Sequence, residues 1–331
     1  MTTDPLPVFK YFVGDDWWGL VCLPNSKSKR HAVRGRGEKC LSMIEESPQV
    51  LTDRRSVGVG CRKDRPEIEP IAKKVVDFLL SQKINVCMDT GSCQGVGNGI
   101  ERTEISEMDV DFVVTIGGDG TILYTLSQLK DRDTPLFCIN RGTVGFLTES
   151  GPETAVSHLQ KVINNECVIE QNINVASGVG DRSFADALNE VYVVSATPGR
   201  LLTFLIYLDG VRVDFGRADG AMVATPTGST AYALAAGGSI LTPGVHGLIF
   251  VPVCPPRFEL KSLVIPDDSL IEIELVKRDA PGLAVIDGQS RWEVEPKETV
   301  WAKKAEGSTR FIRQKDNYYD RLNTRLVPRT L

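Results

Sequence analysis

Long apolar runs are missing from this 331-residue chain. No stretch reaches the roughly 18–20 consecutive apolar residues that a bilayer-spanning helix needs. The opening MTTDPLPVFKYFVGDDWWG carries acidic residues early and has no basic segment leading into an apolar one. The expectation is a cytoplasmic protein with no membrane partner. Histidine is scarce, with three in the chain, and the eight cysteines are scattered at 22, 40, 61, 87, 93, 138, 167 and 254 without a Cys-x-x-Cys pair. That argues against structural zinc and for buried free thiols in a reducing compartment. Basic charge is in deficit too: 38 Lys plus Arg stand against 43 Asp plus Glu, a formal net charge of -5. Nucleic-acid binders hold phosphate backbones with clustered positive charge, so no nucleic-acid partner is expected. The G-x4-G-K-[ST] loop of many nucleotide triphosphatases is also absent.

What is present is enough for substantial cores. The hydrophobic fraction is 42%, and the length accommodates two domains of ordinary size. Residues 1–53 read as an N-terminal extension, in which the basic, Gly-containing SKSKRHAVRGRGEK (26–39) is expected to be a surface loop. From Ser56 the order becomes α/β. SVGVG reads as a strand and CRKDRPE as a polar turn. Ile68, Ile71, Ala72, Val75, Val76, Leu79 and Leu80 recur at helical spacing, and INVCMD (84–89) reads as a strand. GSCQGVGNG (91–99) is a Gly-rich loop without a strand-then-helix context. Phe112 to Ile116 is a continuous apolar strand feeding a Gly-rich turn and an amphipathic helix. TPLFCIN (134–140) is a buried strand, and ETAVSHLQKVINN (153–165) a helix with His158 on its exposed side. This alternation predicts a mostly parallel sheet covered by helices.

After about residue 166 the period changes to short, β-branched, alternating runs separated by Gly, Pro and Asp turns. The expected architecture is an α/β domain over 54–165 and an all-β domain over 166–304. A closing helix in NYYDRLNTRL (317–326) belongs to the segment 305–331, expected to rejoin the first domain. A ligand cleft between the domains is the default site.

Three segments carry chemistry. Gly117 and Gly118 let the backbone turn sharply after a strand and approach a ligand without Cβ interference. With Gly120, Thr121 and the following helix N-terminus they favour phosphate oxygens. Asp119, inside that turn, is suited to take a proton from an attacking hydroxyl or to help hold a metal; it is also suited to serve as a plain N-cap. The second segment is Asp219-Gly220 followed by ATPTGSTAYALAAGG (224–238), where Pro226 to Thr230 offer hydroxyls and glycine-freed amides and AYALAA reads as a helix. Tyr232 either contacts a base or packs. The third is Asn189-Glu190 before the strand VYVV, an amide and carboxylate matched to a ribose diol. DGQ (287–289) reads as a hairpin turn.

Taken together and in order, GGDGT at 117–121, N-x-G-x-x-GFL at 140–147, NE at 189–190, DG with TPTGSTAY at 219–232 and DGQ at 287–289 resemble the NAD kinase family. The resemblance covers about residues 56–326. GGDGT alone is shared with lipid kinases and phosphofructokinase-like enzymes, whereas TPTGSTAY in its company is specific. The resemblance implies a two-domain kinase that phosphorylates NAD at the adenosine-ribose 2′-hydroxyl, using ATP or another phosphoryl donor, with Mg²⁺ accompanying the triphosphate. It implies Asp119 as catalytic acid/base and Gly117, Gly118, Gly120 and Thr121 beside phosphates. Asn189 and Glu190 would bind ribose or the nicotinamide half, and Asp219, Thr227, Ser229, Thr230, Ala231 and Tyr232 would help hold NAD. It also implies a homodimer or homotetramer. CPPRFELKSLVIP (254–266) departs from the family, with Pro256 where His is usual and Lys261-Ser262 where Arg-Pro is usual. The rival readings are a lipid or other small-molecule kinase sharing GGDGT, and a non-catalytic dinucleotide sensor.

Overall fold

The computed structural model describes the backbone of residues 8–13, 16–21, 31–36 and 44–46. It also describes residues 50–326, apart from 53–54, 62–64, 142–144, 257–259, 277–279 and 316–317. Part of the expected polar turn, of the N-x-G-x-x-GFL segment and of the 254–266 segment therefore lies outside the described residues. The N-terminal strands β1 (Val8–Val13), β2 (Asp16–Val21) and β3 (His31–Arg36) form a three-stranded antiparallel sheet. They belong to a compact unit of their own, Met1–Ser42. The basic stretch 26–39 was expected to be a loop, yet it contains β3. Its pairing with β2 is non-local and overrides the weak local pattern.

The second unit, Met43–Leu331, holds everything else. Its first strand, β4 (Ile44–Glu46), is followed by β5 (Ser56–Cys61), α1 (Glu69–Ser81), β6 (Asn85–Asp89), β7 (Glu101–Thr103), β8 (Phe112–Ile116), α2 (Asp119–Gln128), β9 (Leu136–Ile139) and α3 (Ala155–Ile163). Strands β7-β6-β5-β8-β9 pair in that order and in parallel, and β8, buried at every position, is apolar without alternation because both its faces are covered. Helix α1 starts with Pro70 in its first turn, where a missing N–H costs nothing. It buries Ala72, Val75, Val76 and Leu79 against Val57, Val59 and Phe112 of the sheet. Full burial of each larger aliphatic side chain stabilises by about 1.5–3 kcal/mol. His158 was expected on the exposed side of α3. It is half-buried instead, with Nδ1 enclosed, and that burial lowers its basicity.

The β-rich part comprises β10 (Val168–Val179), β11 (Arg182–Ser183), β12 (Glu190–Ser195), β13 (Leu202–Leu208), β14 (Val211–Ala218), β15 (Gly220–Ala224), α4 (Tyr232–Ala235), β16 (Gly247–Val253), β17 (Leu263–Pro266), β18 (Ile271–Leu275), β19 (Gly282–Ile286), β20 (Ser290–Val294) and β21 (Thr299–Arg313). Helix α5 (Tyr318–Leu326) closes the described chain. Strands β17-β16-β15-β12-β19-β20 form a six-stranded antiparallel sheet. Its inner face packs on the second sheet through Val191, Val193, Val223 and Phe250 against Phe204, Ile206, Ile273 and Val300. Its other face carries Met222, Ile249 and Val251, covered by Ala233 of α4 and by Leu241.

The two halves share a sheet. Strand β21 runs antiparallel to β18 in its first part and to β10 along most of its length, then meets β9 in parallel at Phe311↔Leu136. A third core joins α2 to this seam, with Ile122 and Leu126 packed among Leu136, Phe146, Leu147, Leu188, Phe311 and Tyr318. Leu147 closes the 140–147 segment and Leu188 directly precedes Asn189-Glu190, so this core sets the spacing of the candidate site.

Candidate active site

Strand β8 ends at Ile116, and the chain turns through Gly117 and Gly118 into α2. The Gly117 N–H donates to Ile139 O at 2.9 Å, which fixes the turn against β9. A Cβ on Gly117 would lie 2.2 Å from Thr121 Oγ1, whereas a Cβ on Gly118 or Gly120 would meet nothing within 4 Å among the described residues. Asp119 is the first residue of α2, where a carboxylate is favoured by the helix dipole. Its Oδ1 accepts the Leu147 N–H at 3.3 Å. A Cβ on Gly145 would sit 2.6 Å from the same oxygen, so Gly145 and Leu147 together box the carboxylate. Thr148 Oγ1 accepts the Gly145 N–H at 2.6 Å and Asn140 Nδ2 at 3.4 Å, which ties Asn140 into the same loop. Arg141, just beyond β9, pairs with Glu67 at 2.7 Å beyond β5, so the pair flanks the glycine turn at the carboxyl edge of the parallel sheet. Ligands of open α/β sheets bind at that edge.

The other Gly-rich stretch is a loop, as expected, but its polarity is wrong for phosphate. Arg102 draws the carbonyls of Asp89, Ser92, Cys93 and Val96 around its guanidinium at 2.9–3.4 Å.

Asn189 and Glu190 open β12 and are buried, each 8% exposed. They are held by a group of the DGQ segment, which forms the expected hairpin turn between β19 and β20. The Asp287 carboxylate accepts the N–H of Leu188 at 2.7 Å, of Asn189 at 2.8 Å and of Glu190 at 3.0 Å. Asp287 lies in the left-handed region, φ 48°, and donates its own N–H to Glu190 O at 3.1 Å. Burial pushes the Glu190 carboxyl up to about 8, helped by the Asp287 charge. Its Oε2 is buried with no hydrogen-bond partner among the described residues, an oxygen whose partner a ligand can supply.

The TPTGST turn packs directly on this segment. Thr225 N donates to Asn189 O at 2.9 Å, and Thr225 Oγ1 donates to Leu188 O at 2.5 Å. A Cβ on Gly228 would fall 2.0 Å from the Asn189 carbonyl oxygen, which explains a glycine there without any recourse to ligand. The hydroxyls of Thr227, Ser229 and Thr230 face inward: Thr227 donates to Asn172 Oδ1, Ser229 to Pro226 O and Thr230 to Thr227 O, at 2.6–3.0 Å. AYALAA was expected as a helix and yields only the single turn α4. Tyr232, 44% exposed, stands edge-on to Tyr192 with centroids 5.4 Å apart. Asp219, half-buried, precedes β15, and its charge bears on the same Tyr192, whose hydroxyl burial holds above its usual range.

The structure thus gathers Asp119 with Asn140, Gly145 and Leu147, and gathers Asn189 and Glu190 with Asp287 and the TPTGST turn. Asp219, Ala231 and Tyr232 border the outer face of the six-stranded sheet. Asp287, Gly228 and Gly145 were not picked out as individual residues. DGQ in its order among the other segments was the one available signal for Asp287. Among the described residues no cluster of three His, Cys, Asp or Glu forms a metal cage.

A glycine turn beneath an acid at the edge of a parallel sheet, joined to a β sandwich with a buried Asn-Glu pair, defines a two-domain kinase of small molecules. Residues 57–167 match the ATP-NAD kinase N-terminal domain and residues 188–314 the ATP-NAD kinase C-terminal domain. The NAD kinase of Methanothermobacter thermautotrophicus is 36% identical over 272 residues, covering 82% of this chain and 96% of that one. That of Pyrococcus abyssi is 36% identical over 276 residues, covering 82% and 99%. An NAD kinase from Archaeoglobus fulgidus, solved in complex with ATP, superposes with a TM-score of 0.69 at 29% identity, covering 82% and 100%. Yeast NADH kinase complexed with NADH shares the fold, with a TM-score of 0.74 at 22% identity, covering 82% and 87%. The chain belongs to the ATP-NAD kinase family, and it phosphorylates NAD to NADP with ATP.

Proposed function

We propose that Asp119 is the general base of this reaction. The observation that carries the reading is a carboxylate at a helix N-terminus, boxed by Gly145 and the Leu147 N–H, beside glycines open to a ligand. The Asp119 carboxylate takes the proton of the 2′-hydroxyl as that oxygen bonds to the γ-phosphorus. The bond from phosphorus to the bridging oxygen breaks, and ADP leaves with the electron pair. Gly117, Gly118, Gly120 and Thr121 line the phosphates in this reading, with the amides of Gly118 and Gly120 as donors, since those of Gly117 and Thr121 are taken by Ile139 O and Gly118 O. The chain's task is alignment of hydroxyl, phosphorus and leaving oxygen. Mg²⁺ fits as an ion carried on the triphosphate oxygens, since that ion commonly uses substrate phosphates instead of a protein cage. It would neutralise charge on the transferring group.

Asn189 and Glu190 bind the dinucleotide in this reading. Glu190, protonated at neutral pH, donates a hydrogen bond from Oε2, which has no partner among the described residues. Asp219, Ala231 and Tyr232 contact it from the side, while Thr227, Ser229 and Thr230 frame the turn. The site lies where the α/β part, up to about residue 165, meets the β part from about 166. The test is NADP formation by the purified protein with NAD, Mg²⁺ and ATP, beside Asp119→Asn. The variant should lose at least a hundredfold in kcat and keep NAD affinity; comparable turnover in both would remove Asp119 from the role.

A homodimer or homotetramer belongs to the same proposal. Val211, Val213 and Phe215 of β14, a strand at the edge of the large sheet, are 66%, 44% and 57% exposed, with a bulge at Val213 turning Val211 and Phe215 to opposite faces. Exposed apolar side chains on an edge strand invite pairing with a second copy. Phe215→Lys should lower the sedimenting mass, and an unchanged mass would place the contact elsewhere. Cytoplasmic residence is supported by free thiols at Cys61, Cys87, Cys93, Cys138, Cys167 and Cys254. Among the described residues no helix is long and apolar enough to cross a membrane.

A further inference from the structure

Arg313, the last residue of β21, is a guanidinium whose side chain is only 2% exposed. Taking such a cation out of water costs several kcal/mol even after relaxation. The fold offsets that cost with two carboxylates. Nη2 donates to Glu170 Oε1 at 3.0 Å, and Nη1 stands 3.6 Å from Glu149 Oε2. Arg321 of α5 holds the other oxygen of Glu170 at 2.6 Å, and the Arg313 guanidinium lies 4.7 Å from the centroid of the Phe311 ring. A buried apolar residue would pack there with less penalty, so charge compensation by itself does not account for an arginine.

The remaining bond gives it a task. Arg313 Nη1 donates to Leu147 O at 2.8 Å, and the N–H of the same Leu147 donates to Asp119 Oδ1. Leu147 is buried, and its neighbours are pinned as well: Thr148 Oγ1 accepts the Gly145 N–H, and Glu149 N donates to Cys138 O at 2.8 Å. The guanidinium thus fixes one peptide of Leu147 while the adjacent peptide sets the orientation of the Asp119 carboxylate.

We infer that Arg313 is a positioning residue for phosphoryl transfer, acting through Leu147 on Asp119 from the far end of the chain. This rests on the reading of Asp119 as base. The rigid fork matters: one nitrogen serves the ion pair with Glu170 while the other holds the carbonyl. The single ammonium of lysine is a point charge that does not reproduce this fork. A base displaced by a fraction of an ångström loses rate without losing substrate affinity, because substrate binds to other groups.

The experiment compares wild type, Arg313→Lys and Ile273→Ala, a cavity variant in the sandwich core remote from this path. Steady-state kinetics with NAD, Mg²⁺ and ATP is paired with thermal melts. The expected result for Arg313→Lys is a loss of about ten- to hundredfold in kcat with KM for NAD and ATP within about twofold. Ile273→Ala should lower Tm and keep kcat. A folded Arg313→Lys protein with kcat within threefold of wild type overturns the inference, and so does an equal kcat loss in Ile273→Ala at matched Tm. Should Arg313→Lys fail to fold, the α-hydroxy analogue of leucine placed at position 147 decides. It removes the N–H donor and leaves Arg313 and its ion pairs in place. A tenfold loss in kcat supports the inference, and a loss below threefold sinks it. Asp119→Asn, assayed alongside, separates the two readings, since failure of the base assignment shows there whatever Arg313 does.

Discussion

At Glu190 a residue's function and its stability pull in opposite directions. Its carboxyl is buried beside Asp287, and one oxygen has no partner among the described residues, so folding strips the charged form of water and gives little back. Its folded value, about 8, lies well above the usual carboxylate range. A raised value means the folded protein keeps a proton that the unfolded chain releases. The stability from this group is therefore full below about pH 4 and is lost as pH rises toward 8, at about 1.4 kcal/mol per pH unit. Glu190→Gln has no proton to lose. Its Tm, measured without ligand, should match wild type near pH 4 and exceed it by a margin that grows up to pH 8, while its KM for NAD rises. A margin independent of pH would mean that Glu190 is ionised in the fold. The sequence pointed to Glu190 through its pairing with Asn189. It did not show Asp287 as the holder of both, because nothing local marks a carboxylate 97 residues away as the acceptor for three amides.

Among the elements, those set by local periodicity were legible in the sequence and those set by distant pairing were not. Helix α1 follows from apolar spacing, and the β8–turn–α2 unit from a continuous apolar run into glycines. The strands of the sandwich follow from alternation and turn residues. Strand β3 and the pairing of β4 with β10 were hidden, since each depends on a partner strand supplied elsewhere. The AYALAA run promised a helix, but its backbone leaves the helical region at Ala231 and again after Ala235, because the segment is shaped by the sheet beneath it. The TPTGST turn was visible as a motif, and the structure supplies the reason for its glycine. Gly228→Ala drives a Cβ into the backbone of Asn189, with no flexible side chain to move aside. The variant should lose about 1–3 kcal/mol of stability and raise KM for NAD, measured by urea unfolding and initial rates. Unchanged values in both would show that the Asn189 segment shifts freely, contrary to its three amide bonds to Asp287.

Across the whole second unit, the seam between the α/β and β halves is closed by a buried chain of charge: Arg321 on α5, Glu170 on β10 and Arg313 on β21, with Glu149 beside it. Burial pushes Glu170 upward, but Arg313 and Arg321 outweigh it and bring its carboxyl down to about 2. A depressed value means the folded state prefers the charged form. The stabilisation, about 3 kcal/mol from the shift, is present above the usual carboxylate range and disappears as pH falls from about 5 toward 2. Glu170→Gln leaves two buried guanidinium groups with less compensation, so at pH 7 it should melt well below wild type, by roughly 5–10 °C. Calorimetry at pH 7, 5, 4 and 3 should show the gap narrowing step by step as wild type loses the same charge by protonation. The raised carboxyls Glu190, Asp287 and Asp186 titrate in both proteins and cancel in the comparison, whereas Glu149, raised chiefly by burial, is relieved of the Glu170 charge in the variant and adds its own difference. A gap that stays constant down to pH 3 would mean that Glu170 acts through its shape, and that the seam is held by packing of Phe146, Phe311 and Tyr318 instead of by charge.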